Sequence, residues 1–226
     1  MRAVIFDLDG TLIDSLPDLR TSLNAVLTDY GCECMSTEEV KNMVGGGADV
    51  LLAEAFRHAG AEMDPKTLAA CVKAFTSHYE RNPAVQTTVF PGALLALQTL
   101  SDKGIRMGVC TNKPHGIALT ILKSLGLDKY FPVCIGKGER PYHKPDHRHY
   151  NCVVAALDVK PHQTLYVGDS ETDVKTARNA GVPIILVSYG YSQKPAATLG
   201  ADLLINHFSE IPIAVDKMFS VMKTDL

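Results

Sequence analysis

The chain has 226 residues, 46% of them hydrophobic, with 22 Lys plus Arg against 25 Asp plus Glu. That is enough apolar material for one large domain, or for one domain with a smaller companion. A formal net charge of −3 gives no reason to expect nucleic acid or an anionic membrane as a partner, and no apolar run approaches the ~20 residues of a membrane span.

The N-terminus leads directly into a strand pattern, without the charged and apolar regions of a signal peptide. Val4-Ile5-Phe6 is a short apolar run that ends in Asp7-Leu8-Asp9-Gly10-Thr11. It reads as a buried strand with two carboxylates at or just past its carboxyl end, where ligands bind in open α/β sheets. From about Leu16 to Arg81 the pattern is helical throughout. Pro17 suits a first helical turn, with Leu19, Leu23, Val26 and Leu27 behind it at helix spacing. Ser36 and Glu39 form a capping-box pattern. Gly45-Gly46-Gly47 precedes a helix from Asp49 to Ala59, and Asp64-Pro65 opens another that carries Leu68, Cys71, Val72, Phe75 and Tyr79.

From Thr87 onward short apolar strands alternate with helices: Ile105–Cys110, Pro132–Ile135, Thr164–Val167, Val182–Val187 and Ala201–Ile205 are the expected strands. That rhythm predicts an α/β fold with a parallel sheet covered on both faces. The division that follows is a core of residues 1–14 and 83–226, interrupted by a helical insertion of residues 15–82. Cys32, Cys34, Cys71, Cys110, Cys134 and Cys152 contain no C-x-x-C pair, and a cytoplasmic protein with reduced thiols is expected. Neither an internal repeat nor a low-complexity segment is present.

Four features follow the ends of predicted strands. Asp7 and Asp9 supply a carboxylate nucleophile and a second carboxylate that can protonate a leaving oxygen and then activate water. Thr111, with the Asn112 N–H beside it, can donate to a phosphoryl oxygen, although Thr-Asn is also a common helix cap. Lys144, just before Pro145, offers a point charge. Lys137 is its rival, and Lys144 is preferred because Asp146 and the helix behind it fix its position. Asp169 and Asp173 of Gly168-Asp169-Ser170-Glu171-Thr172-Asp173 can share one face and, with Asp7 and Asp9, suit Mg²⁺. Lys144 is expected as the lone cation among these acids, and His143, His147 and His149 as surface residues.

In that order the four stretches resemble the motifs of the haloacid dehalogenase superfamily of phosphatases, and the match runs from end to end of the chain. The resemblance implies a Rossmann-like core and, at residues 15–82, a helical cap domain. It implies Asp7 as nucleophile and metal ligand, and Asp9 as acid/base whose backbone carbonyl also binds metal. Thr111 and Lys144 would hold the phosphoryl group, and Asp169 would ligate Mg²⁺ with support from Asp173. Within the superfamily, Met43 to Leu51 looks most like bacterial phosphoglycolate phosphatases. The expected activity is therefore Mg²⁺-dependent hydrolysis of a small carboxylated phosphate monoester through an aspartyl-phosphate. Gly45, Gly46 and Gly47 would face the substrate at a helix N-terminus, with Arg20 as a helper. The cap is expected to hinge near Ile13–Ser15 and Asn82–Thr88, and the chain to act as a monomer or homodimer. Sugar-phosphate phosphatases, pyrophosphatases and β-phosphoglucomutases share much of the pattern, and a non-catalytic binding module is the alternative from another class. Dehalogenation is disfavoured, because relatives with that activity lack the second aspartate, present here as Asp9.

Overall fold

Every residue of Ala3–Phe6 is fully buried, as expected of a strand enclosed on both faces. In the computed structural model, which describes residues 2–222, this strand (β1) is the centre of a six-stranded sheet. The other strands are β4 (Arg106–Pro114), β5 (Val133–Lys137), β6 (Thr164–Gly168), β7 (Ile184–Val187) and β8 (Leu203–Ile205), in the order β5-β4-β1-β6-β7-β8. Every pairing is parallel, with Ala3 opposite Arg106 on one side and Thr164 on the other. The α/β class expected from the alternating pattern is therefore the observed one.

Alternation along β1 sorts its side chains between two cores. Val4 and Phe6 face a cluster built from Leu97 and Leu100 of α5 (Ala93–Asp102), Ile121 of α6 (His115–Ser124) and Val215 and Phe219 of α9 (Ile211–Val221). Ala3 and Ile5 face Val153 and Val154 of α7 (His147–Ala156) and Val174 and Ala177 of α8 (Glu171–Ala180). Helix α9 is an element that the strand–helix reading left out. Its signal is Pro212 in the first turn followed by Ala214, Val215 and Phe219, all buried.

Four helices lie between β1 and the rest of the sheet: α1 (Leu16–Asp29), α2 (Thr37–Lys41), α3 (Ala48–His58) and α4 (Pro65–Arg81). The local rules hold at their starts. Ser36 and Glu39 form the capping box of α2, and Asp64 accepts from the Lys66 and Thr67 N–H groups at the head of α4. The chain enters and leaves this block through two short antiparallel strands, β2 (Ile13–Asp14) and β3 (Thr88–Val89). These were expected only as hinges; at two residues each they leave no periodicity to read. Asp18, buried in α1, accepts from Gln86 N, Thr87 N and Thr87 Oγ1 and so staples the two crossings together. Among the described residues no helix is long and apolar enough to cross a membrane.

Candidate active site

The parallel sheet brings the carboxyl ends of β1, β4 and β6 side by side, and the predicted residues converge there. A cavity of about 70 Å³ is lined by Asp7, Asp9, Thr111, Lys144 and Asp169 from the sheet and by Leu19, Val44, Leu51, Phe75 and Tyr79 from the helical block. Gly45 and Gly47 line it as well, while Gly46 does not: a side chain there would run into Val50. Gly47 is the N-cap residue of α3. Arg20 is not among the lining residues. Leu19 takes that face of α1, and the next side chain turns about 100° away from it.

Lys144 is 3% exposed, and its Nζ stands 2.7 Å from both Asp7 Oδ1 and Asp173 Oδ1. Asn112 fixes it from behind: Asn112 Oδ1 accepts from Lys144 N at 2.9 Å, and Asn112 Nδ2 donates to Lys144 O at 3.1 Å. The side chain of Asn112 thus positions the lysine. The rival Lys137 is engaged elsewhere, on Asp49 of α3 at 2.6 Å, where it ties β5 to the helical block.

Asp173 takes hydrogen bonds from Lys144 Nζ and Tyr166 Oη on one oxygen, and from Asp169 N, Ser170 N and Ser170 Oγ on the other. Burial pushes its carboxyl up, but the Lys144 charge and these bonds outweigh burial and hold it below its ordinary value. Asp173 is the anchor of the array. Asp169 is held by Thr11 Oγ1 at 3.0 Å and by Tyr191 N at 2.7 Å. Burial, with Asp173 and Asp7 nearby, pushes it well above the usual carboxylate range. Asp7 rises to about 7 through burial and the neighbouring Asp173, against the pull of Lys144.

Asp7, Asp169 and Asp173 each offer an oxygen within 4.8 Å of the others. Asp7 Oδ1 is buried with no hydrogen bond, its contact with Lys144 being an ion pair alone. An all-oxygen set this close, with Asp7 and Asp169 raised by burial and then by their neighbouring carboxylates, fits a hard divalent cation. The space for Asp169 is kept by two glycines. A Cβ on Gly10 (φ 79°) would lie 2.5 Å from Asp169 Oδ2, and one on Gly190 would lie 2.2 Å from Asp169 Cβ.

Asp9 stands apart from that cluster. Its Oδ1 accepts from Ser15 Oγ and, at 2.7 Å, from Lys113 Nζ. Lys113 was missed because β4 was expected to end at Cys110. The strand continues to Pro114 with a shift in register, which buries Lys113 beneath the ring of Tyr79, 4.6 Å from its centroid. Lys144 is therefore not the lone cation of the site. Burial would lower the Lys113 ammonium, but Asp9 and Tyr79 hold it above its ordinary value.

His149 is also corrected. It is fully buried, with Nε2 donating to the Thr111 carbonyl at 3.1 Å, because the first turn of α7 packs against β4; His143 and His147 are exposed as expected. Burial lowers the pKa of His149. The turn after β7 was missed altogether. Tyr191 gives its N–H to Asp169, while its hydroxyl accepts from Ser15 N and Leu16 N and donates to Asp14. The one sequence signal was a glycine between two tyrosines just past a strand.

The sequence profile of a family described as haloacid dehalogenase-like hydrolase matches residues 4–187. A phosphoglycolate phosphatase of Rhodospirillum rubrum is 42% identical over 214 residues, 93% of this chain and 89% of that protein. One of Caulobacter vibrioides is 40% identical over 211 residues, again covering 93% and 89%. Among solved structures, a predicted phosphoglycolate phosphatase of Haemophilus somnus superposes with a TM-score of 0.88 at 30% identity, covering 95% of this chain and 98% of that one.

Proposed function

The chain belongs to the haloacid dehalogenase-like hydrolase family and is a phosphatase, and from that premise we propose that it hydrolyses a small carboxylated monoester of the 2-phosphoglycolate class. Asp7 is the nucleophile in this reading. Its oxygen bonds to phosphorus as the ester P–O bond breaks, and Asp9 gives its proton to the departing alkoxide. Water, deprotonated by Asp9, then attacks phosphorus. The P–O bond to Asp7 breaks, releasing inorganic phosphate and restoring the carboxylate. Lys144 and Thr111 hold the phosphoryl oxygens throughout.

Mg²⁺ held by Asp7 and Asp169, with the Asp9 carbonyl and with Asp173 as anchor, would supply charge neutralisation at the phosphoryl group. Residues 15–82 act as a cap that excludes bulk water. This is supported by the apolar wall of Leu19, Leu51 and Phe75 and by contacts across the cleft, Lys137–Asp49 and Asn112–Gly45 among them. The unpaired state of all six cysteines supports a reducing, cytoplasmic setting.

The observation that supports the substrate class is the similarity to phosphoglycolate phosphatases, 42% identical in one case over 93% of this chain. A phosphate-release panel tests this: 2-phosphoglycolate, ethyl phosphate, glucose 6-phosphate and pyrophosphate with excess Mg²⁺, then with chelator. We expect the highest kcat/KM for 2-phosphoglycolate and loss of turnover on chelation. Equal rates across the panel would refute the substrate class, and a preference for pyrophosphate or the sugar phosphate would favour the corresponding related activity.

A further inference from the structure

Lys113 and Lys144 are the two cationic side chains that border the cavity, and they are committed differently. Lys144 is bound between two carboxylates, Asp7 and Asp173. Lys113 Nζ has one carboxylate oxygen, Asp9 Oδ1, at 2.7 Å, and the face of Tyr79, although an ammonium carries three donors. Tyr79, 1% exposed and lining the same cavity, has a hydroxyl with no hydrogen-bond partner. A buried phenol is normally paired, so this one is a donor left over at the place where the helical block meets the sheet. Apart from the backbone of Gly45 and Gly47, the rest of the wall contributed by that block is made of apolar side chains, Leu19, Val44, Leu51 and Phe75 among them, where an anion would meet a large desolvation cost.

Resting on the phosphatase reading above, we propose that Lys113, with the Tyr79 hydroxyl beside it, is the receptor for the carboxylate of the substrate. The chain length of the ester places it there. The leaving oxygen must come within about 3 Å of Asp9 to take its proton. In a two-carbon ester the carboxylate begins only two bonds beyond that oxygen. A group so tethered falls next to the ammonium that already touches Asp9. The receptor is divided between the two halves of the molecule, Lys113 on β4 and Tyr79 on α4. A carboxylated ester therefore binds both, whereas an ester of the same length without the carboxylate binds neither.

The test compares 2-phosphoglycolate with ethyl phosphate on the parent and on Lys113→Met, Lys113→Arg and Tyr79→Phe, all with excess Mg²⁺. Tyr79→Phe keeps the ring over Lys113 and removes only the hydroxyl, so it remains informative if Lys113→Met does not fold. For Lys113→Met we expect kcat/KM to fall roughly 10- to 100-fold further for 2-phosphoglycolate than for ethyl phosphate. For Tyr79→Phe the additional fall is about 5- to 10-fold, and Lys113→Arg recovers part of the preference. Glycolate, a carboxylate without phosphate, loses inhibitory affinity in Lys113→Met and Tyr79→Phe, while inorganic phosphate loses less. Equal losses on both esters, in a parent that does prefer 2-phosphoglycolate, would overturn this inference and leave the phosphatase reading standing. A parent with no preference would instead remove the substrate class, and this receptor with it.

Discussion

Replacing Asp7 by Asn should change the stability of the metal-free protein in a way that depends on pH. Burial and the adjacent Asp173 raise Asp7 from 3.8 to about 7. Between those values the folded state binds more protons at this site than the unfolded chain. The native state therefore loses stability as pH rises through that window and levels off above it, the reverse of an aspartate stabilised by a salt bridge. At pH 8 ionisation of Asp7 costs the fold about 4 kcal/mol, and at pH 5 about 2 kcal/mol. Asn has the same shape and does not titrate, and Asp169, which the Asp7 charge helps to raise, gives up part of its own upward shift in the variant and adds in the same direction. The stability of the variant relative to the parent should thus rise by roughly 2–3 kcal/mol from pH 5 to pH 8, or on the order of 5–10 °C in Tm for a chain of this size. Thermal melts in chelator at several pH values measure it. Excess Mg²⁺ at pH 8 should raise the Tm of the parent more than that of the variant, because the cation offsets the charge that Asn lacks. A gap that stays constant from pH 5 to pH 8, or that moves against the variant, would show that Asp7 is not held in the crowded, desolvated state described.

Two further substitutions probe the support of the site. Gly190→Ala places a Cβ 2.2 Å from that of Asp169 and must displace that carboxylate, the proposed metal ligand; titration with Mg²⁺ should show affinity weakened by about 10- to 100-fold, and unchanged affinity would mean that the close approach is relieved elsewhere. Tyr191→Phe leaves the N–H groups of Ser15 and Leu16 without their buried acceptor and should cost about 2 kcal/mol in chemical denaturation; a cost near zero would mean the tyrosine does not brace the crossing into the helical block.

Several parts of the site were legible from local sequence. Asp7, Thr111 and Asp169 each follow an apolar run, and a parallel sheet brings such strand ends to one edge. Ser36 with Glu39, and Asp64 with Pro65, cap their helices by rules that span a single turn. What was misread depended on partners far away in the chain. His149 looked like a polar residue on a helix start, and its burial follows from α7 lying against β4. Lys113 lay past the expected end of its strand at Cys110, and its place beneath Tyr79 follows from a strand that runs past its apolar stretch. Tyr191 carries no local signal beyond the glycine before it, yet it bonds to both Asp169 and the crossing at Asp14–Leu16.

By itself, then, the sequence determined the α/β class, the helical interruption and the carboxylates and lysine of the four strand-end motifs, because periodicity and capping are short-range and strand ends are punctuated by polar residues. Tertiary structure decided which charges pair. Lys144 sits on Asp7 and Asp173, Lys113 on Asp9 and Lys137 on Asp49, since three lysines of the same chemistry differ only in the direction and depth at which the backbone delivers them. It decided likewise that the cavity is apolar on one side, a property of helices α1, α3 and α4 meeting the sheet that no single stretch of sequence contains.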